Sequence, residues 1–250
     1  MPFPRRTALV TGAARGLARG IVVDLARAGY RVAFTYRPGG TPPDATLAAA
    51  RQAGGSDVVA IAADHGISGE TERAVTAAAV AAGPPEIYVH AVGPMIVRRF
   101  ARATRGEYET MIATNLDSAV EGAFAVLPAM RERGFGRLIY FGMNGSQVTR
   151  PARGLAFYGA AKAAVVAFAR TLSLEEAARG ITVNVVEPGD IRDKEVDRAG
   201  AHEVAAKNPS GHAASWEDVA FAVRYLVSDD ASFVNGATLG VNGGLVEAHE

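Results

Sequence analysis

The sequence predicts an α/β fold of the doubly wound kind, with a parallel sheet of about seven strands and helices on both faces. Three observations predict it. Short runs rich in β-branched residues alternate with longer Ala-rich stretches along the whole chain. The short runs are mostly continuously apolar, the pattern of strands covered on both sides. A glycine-rich turn separates the first of these runs from the first helical stretch.

In chain order, strands are expected at residues 7–10, 31–36, 58–62, 87–91, 137–141, 182–186 and 238–241. Helices are expected at 17–28, 45–52, 70–82, 107–133, 156–179 and 216–227. Ser215 has the side chain of an N-cap, with Asp218 three residues on to complete a capping box. Gly29, Gly134 and Gly180 stand where helices should end. Residues 37–44 hold Pro38, Gly39, Gly40, Pro42 and Pro43 and read as loop. Residues 192–214 break the pattern with charges, Gly200, Pro209 and Gly211. Lying after the sixth strand, on the ligand side of such a sheet, they are expected to form a substrate lid. No internal repeat or long linker divides the chain, so one domain over 1–250 is expected.

Composition excludes several functions. There are 26 basic and 26 acidic side chains and a formal net charge of zero, which gives no footprint for nucleic acid or an anionic membrane. With no cysteine, disulfides, thiolate metal sites and a thiol nucleophile are ruled out. No metal is expected. The start of the chain lacks the plan of a signal peptide and no apolar run is of membrane-spanning length, so a cytoplasmic location is expected.

The first strand runs into Thr11-Gly12-Ala13-Ala14-Arg15-Gly16-Leu17-Ala18. Glycines here let the backbone turn tightly and bring N–H groups close to a phosphate, and the helix N-terminus adds a favourable dipole. The second strand ends Thr35-Tyr36-Arg37, with no acid to accept from a ribose 2′-hydroxyl. Arg37 and Arg15 together are expected to clamp a 2′-phosphate, which predicts NADP(H) rather than NAD(H). Further on, Tyr158 and Lys162 are spaced i, i+4 at the start of a long helix and so share a face. A neighbouring ammonium is expected to lower the phenol's pKa and make it a proton donor to a carbonyl oxygen.

These two motifs resemble those of the short-chain dehydrogenase/reductase family, and the resemblance covers nearly the whole chain. The turn is similar to the family's Thr-Gly-xxx-Gly-x-Gly signature, with Ala18 in place of the last glycine. The resemblance implies a Rossmann-type fold and a ketoreductase closest to 3-oxoacyl-acyl-carrier-protein reductases. It makes Tyr158 and Lys162 catalytic and gives Asn115 a water in the proton relay. It places Gly12, Arg15, Gly16, Leu17, Tyr36, Arg37, Asp64, His90, Ala91, Val92, Gly93, Pro188, Gly189 and Ile191 along the cofactor, with Asp64 at the adenine amino group.

Three positions depart from the family pattern. Met143 stands where the family has its catalytic serine, and a thioether donates no hydrogen bond to a carbonyl. Ser146 or Asn144 is expected to supply the missing donor from a loop about two residues longer than usual. His90-Ala91-Val92-Gly93 replaces Asn-Asn-Ala-Gly, and Asp193 replaces a threonine. Two rival readings are a dinucleotide-binding sensor without turnover and an enoyl reductase. The latter would carry its tyrosine seven residues before the lysine, where Leu155 stands. The substrate is expected to be a small or carrier-linked carbonyl compound, with Arg131, Arg133, Arg137 and Arg179 a weak candidate patch for an acidic carrier. Helices 107–133 and 156–179, with Val120, Phe124, Val165 and Phe168, are expected to pair copies into a homotetramer.

Overall fold

The computed structural model describes residues 5–146, 151–189, 191–206 and 208–245. Among these, seven strands form one parallel sheet in the order β3-β2-β1-β4-β5-β6-β7. They are β1 Thr7–Val10, β2 Arg31–Tyr36, β3 Val58–Ala62, β4 Ile87–His90, β5 Gly136–Phe141, β6 Ile181–Pro188 and β7 Thr238–Val241. The order reverses between β1 and β4. A crevice therefore opens beyond the C-terminal ends of those two strands, at the topological switch point. β6 is longer than expected because Glu187 and Pro188 pair with Gly240 and Val241. An acid followed by a proline does not read as strand interior, but Pro188 needs no N–H at the last rung.

Helices α1 Gly16–Arg27, α2 Asp44–Gln52 and α8 Trp216–Val227 cover one face of the sheet. Their Ile21, Leu25, Ala50, Val219, Val223 and Leu226 bury Val10, Phe34, Val89 and Ile139. Helices α3 Glu70–Ala82, α5 Ser118–Arg133 and α6 Ala156–Glu176 cover the other. There Ala78, Val126, Val165 and Ala169 pack on Leu9, Tyr88, Leu138, Val183 and Val185. Ser215 and Asp218 form the expected capping box at α8. Val165 and Phe168, expected at a face between copies, turn inward instead. Val165 is buried in this second cluster, and the Phe168 ring meets Tyr140 edge-on at 5.9 Å. Phe124 of α5 does face outward.

Two corrections concern helices. The stretch expected as one helix over 107–133 is α4 Arg105–Ile112, then a π-helical turn Ala113–Asp117, then α5. A π turn inserts a residue and displaces backbone carbonyls from their usual donors. Here side chains satisfy them. Thr114 Oγ1 donates to Thr110 O at 2.6 Å, Asn115 Nδ2 to Met111 O at 3.1 Å, and Ser118 Oγ to Thr114 O at 2.8 Å. The expected lid also holds a short helix, α7 Arg198–His202, capped by Asp197 accepting from Gly200 N–H at 2.9 Å. Among the described residues no helix is long and apolar enough to cross a membrane.

Candidate active site

At the end of β1 the chain is tied to its neighbours through hydroxyl groups. Buried Thr11 accepts at Oγ1 from Ala91 N–H and Val92 N–H at 3.0 and 3.1 Å, which joins the β1 and β4 turns across the crevice. Gly12 N–H donates to Thr35 Oγ1 at 2.8 Å. Gly12 has φ +67°, and a Cβ there would lie 2.6 Å from Val92 Cγ2, so only glycine fits. Thr35 Oγ1 is 2.7 Å from His65 Nε2, and His65 Nδ1 is 2.8 Å from Thr71 Oγ1. Burial pulls the His65 pKa down to about 4. The neutral ring donates through one nitrogen and accepts through the other, so it relays order from α3 to the glycine turn.

The start of α1 already holds an anion. Gly16 N–H donates to Glu195 Oε1 at 2.7 Å, and the other oxygen of that carboxylate pairs with Arg19. Asp193, which stands in the lid's first turn, accepts at Oδ1 from Glu195 N–H at 2.9 Å, so its charge is spent within the segment. A carboxylate on a helix N-terminal N–H is the arrangement a phosphate oxygen would take. The residues therefore fit a phosphate-bearing cofactor: the Gly16 N–H binds an anionic oxygen, and Glu195 stands in for the phosphate's charge.

The remaining expected cofactor residues are placed as follows. Leu17 packs into the core below the turn. Tyr36 is half-buried at the end of β2, while Arg15 and Arg37 are exposed and in no ion pair among the described residues. Asp64 is half-buried and accepts from Gly66 N–H at 3.0 Å, so its side chain is turned onto its own loop. Gly189 N–H donates to Val241 O at 3.0 Å and anchors the turn after Pro188. Ile191 packs at the edge of the first cluster.

Tyr158 and Lys162 lie one turn apart on α6, with the ammonium nitrogen 5.6 Å from the centre of the phenol ring. Leu155 is only the residue before the helix. Burial alone lowers the Lys162 pKa to about 8. The Tyr158 pKa is raised by burial, not lowered as the neighbouring lysine led us to expect. Desolvation of the phenolate outweighs a cation at this distance. Gly93, at φ +155°, is where the constellation closes. A Cβ on it would lie 2.3 Å from Asn115 Oδ1 and 3.2 Å from Lys162 Nζ. Asn115 is fully buried. Its Nδ2 donates to Met111 O and Pro94 O, but its Oδ1 has no partner among the described residues. An orphaned buried acceptor beside a buried ammonium fits a relay that a water completes.

His90 does not join them. Its ring is buried among Tyr88 and Tyr140, with Nε2 2.8 Å from Ser118 Oγ. Ser118 gives its own proton to Thr114 O, so it accepts from His90. Burial holds the imidazole pKa well below its usual value. The ring is a neutral bolt between β4 and α5.

Both expected substitutes for the missing serine are also otherwise engaged. Ser146 is buried, donates from Oγ to Glu187 Oε1 at 2.5 Å, and accepts from Met143 N–H at 3.0 Å. Its single proton is committed to a carboxylate. Asn144 accepts from Asn242 Nδ2 at 2.7 Å and donates to Leu245 O at 3.3 Å, which ties it to the C-terminal segment. Met143 itself is half-buried, and its Cε lies 3.6 Å from where a Cβ on Gly159 would stand, beside Tyr158.

With this geometry in place, comparison with known proteins is decisive. A family profile described as enoyl-(acyl carrier protein) reductase matches residues 12–246. The chain belongs to the short-chain dehydrogenase/reductase family. Among curated members, it is 34% identical to 3-oxoacyl-(acyl-carrier-protein) reductase FabG of Escherichia coli (strain K12), over 98% of this chain and 99% of that protein. It is 31% identical to acetoacetyl-CoA reductase of Allochromatium vinosum, over 96% and 98%. A blue fluorescent protein from a metagenomic library, solved in complex with NADPH, superposes with a TM-score of 0.85 at 30% identity, covering 97% of this chain and 98% of that one.

Within this short-chain reductase framework, sequence reasoning missed two acids. Glu187 is almost fully buried at the end of β6, and Glu195 sits on the glycine turn. An acid interrupting the apolar run Val-Asn-Val-Val-Glu was the available signal for the first. Three of the four arginines of the candidate carrier patch have partners within the chain. Arg131 pairs with Glu176, Arg133 donates to Pro84 O, and buried Arg137 donates to Gly136 O. Arg137 and Arg179 adjoin the N-terminal ends of β5 and β6, the edge of the sheet opposite Tyr158.

Proposed function

We propose that the protein is an NADPH-dependent carbonyl reductase that converts a 3-oxoacyl thioester to the 3-hydroxy compound. The observation that carries this reading is the approach of Lys162 Nζ and the unpartnered Asn115 Oδ1 to one another at Gly93, with the Tyr158 ring centre 5.6 Å from that ammonium, on the same sheet edge where Gly16 receives an anion. NADPH, when bound, supplies a hydride to the carbonyl carbon. Tyr158 gives its proton to the carbonyl oxygen as the C–O double bond opens, and burial keeps the phenol loaded at neutral pH. Lys162, titrating near 8, returns a proton to the phenolate through the water that Asn115 Oδ1 accepts from. Exposed Arg15 and Arg37, with no acid at the end of β2, favour a 2′-phosphate on the adenosine ribose. The NADPH complex of a structural relative supports that cofactor, and the activities by which the two curated relatives are named support the substrate class.

The four-residue spacing of Tyr158 and Lys162 favours the ketone over an enoyl substrate. Residues 192–214 close over the crevice as the lid, and exposed Phe124 on α5 supports pairing of copies into a homotetramer. The test is the loss of absorbance at 340 nm when NADPH meets acetoacetyl-CoA. Steady oxidation supports the assignment. Tight NADPH binding with no turnover on any 3-oxo thioester or ketone would overturn it.

A further inference from the structure

On the sheet face that carries α6, β6 itself ends in a buried carboxylate. Along β6, Val183 and Val185 point into the cluster shared with Val165 and Ala169 of α6, while Val186 points to the opposite face. Strand alternation therefore puts Glu187 on the α6 side, at the end of the sheet where Tyr158 begins its helix. Glu187 is 2% exposed and forms no ion pair among the described residues. A buried, unpaired carboxylate is costly and survives only where hydrogen bonds replace its water. Its hydrogen-bond partners among the described residues lie in one turn. Ser146 Oγ donates to Oε1 at 2.5 Å and Gly145 N–H donates to Oε2 at 3.2 Å. Ser146 in turn accepts from Met143 N–H. The packing is closed around this arrangement, since a Cβ on Gly142 would lie 2.8 Å from both Glu187 Cγ and Ser146 Oγ.

We propose that Glu187 is a positioning residue for the reduction. It folds residues 142–146 around its carboxylate, so that the Met143 thioether, and no hydroxyl, faces the carbonyl site beside Tyr158. The inference rests on the proposed reductase reading for its kinetic arm only. On this view Tyr158 is the one side-chain donor to the substrate oxygen, and Met143 offers the substrate an apolar, polarisable wall.

The experiment compares Glu187→Gln, Glu187→Ala and Ser146→Ala in the full-length protein. Hydrogen exchange is followed in the peptide spanning 142–146, kcat is measured with acetoacetyl-CoA, and NADPH affinity is measured by the cofactor's fluorescence. The expected result is faster exchange in that peptide in all three variants. In Glu187→Ala, kcat should fall on the order of tenfold to a hundredfold, with NADPH affinity within about twofold of wild type, because the phosphate turn is untouched. Glu187→Gln keeps one carbonyl acceptor and should fall between, so it serves if the alanine variant does not fold. Unchanged exchange at 142–146 overturns the brace. So does faster exchange with wild-type kcat, because the turn would then be merely structural. If wild-type protein turns over no carbonyl compound, the reductase reading fails, and the exchange data alone decide whether Glu187 holds the turn.

Discussion

At the phosphate end of the crevice, Gly12, Thr11 and Thr35 are linked by short hydrogen bonds across three neighbouring strands, and every group serves the backbone that a cofactor would meet. At the carbonyl end, residues 142–146 hang on one buried acid from β6, and the side chain presented beside Tyr158 is a methionine. By its resemblance to the family, the first region keeps the pattern of the phosphate turn, and the second keeps the tyrosine, lysine and asparagine but departs at Met143. On the proposed reading, binding a common cofactor and choosing a particular substrate are separable tasks, carried by different loops of one sheet edge.

The largest effect that would sharpen this contrast is at Tyr158. Tyr158→Phe should lower kcat by about a thousandfold, within the range of a lost general acid, while NADPH binding by fluorescence stays intact. Retained turnover at 340 nm would mean that the carbonyl end works through another donor. Next, Lys162→Met should lower kcat about a hundredfold yet stabilise the fold. In the folded protein the pKa falls from the ordinary lysine value of 10.5 to about 8, so the unfolded chain holds more protons between those values. Wild-type stability should thus rise with pH through that window, and below it the full penalty applies, on the order of 3 kcal/mol. Urea denaturation at pH 7 and pH 10 checks this, and the variant should lose the rise. The same titration predicts that the reduction rate declines as pH climbs through about 8.

Met143→Ser probes the rebuilt loop directly. A hydroxyl restored beside Tyr158 should raise kcat/KM for acetoacetyl-CoA by up to about tenfold, the worth of one net hydrogen bond. An unchanged value would show that the turn now holds position 143 out of reach of the carbonyl oxygen. The smallest effect belongs to the other end. Glu195→Gln should tighten NADPH binding by roughly threefold, because a partly exposed carboxylate competes only weakly in water. Weaker binding in that variant would mean that Glu195 assists the cofactor.

Much of this was legible in the sequence, and the reasons differ by element. Central strands buried on both sides advertise themselves as apolar runs, so all seven were placed to within two residues. The π turn was not legible, because Asn115 reads the same in an α-helix. Helix α7 has five residues and no apolar stripe to reveal it. The fate of Ser146 depended on Glu187, 41 positions away, and that of Gly16 on Glu195, 179 positions away. Hydrogen bonds over such separations leave no local periodicity. The tyrosine–lysine spacing located the chemistry but not its electrostatics. How deeply a phenol is buried is settled by packing, and here packing reversed the direction in which the lysine alone would have moved it.

The neutral ring of His65 sets an acid boundary on the pocket. Once both His65 nitrogens carry protons, neither Thr35 nor Thr71 can donate to the ring, and the hydrogen bonds that lead to Gly12 must rearrange. As pH drops from 6.5 towards 4, an unfolded chain gains a proton that the folded chain refuses, and the native state loses ground. Acid inactivation should begin at the dinucleotide cradle, with cofactor retention failing before the reacting groups are disturbed.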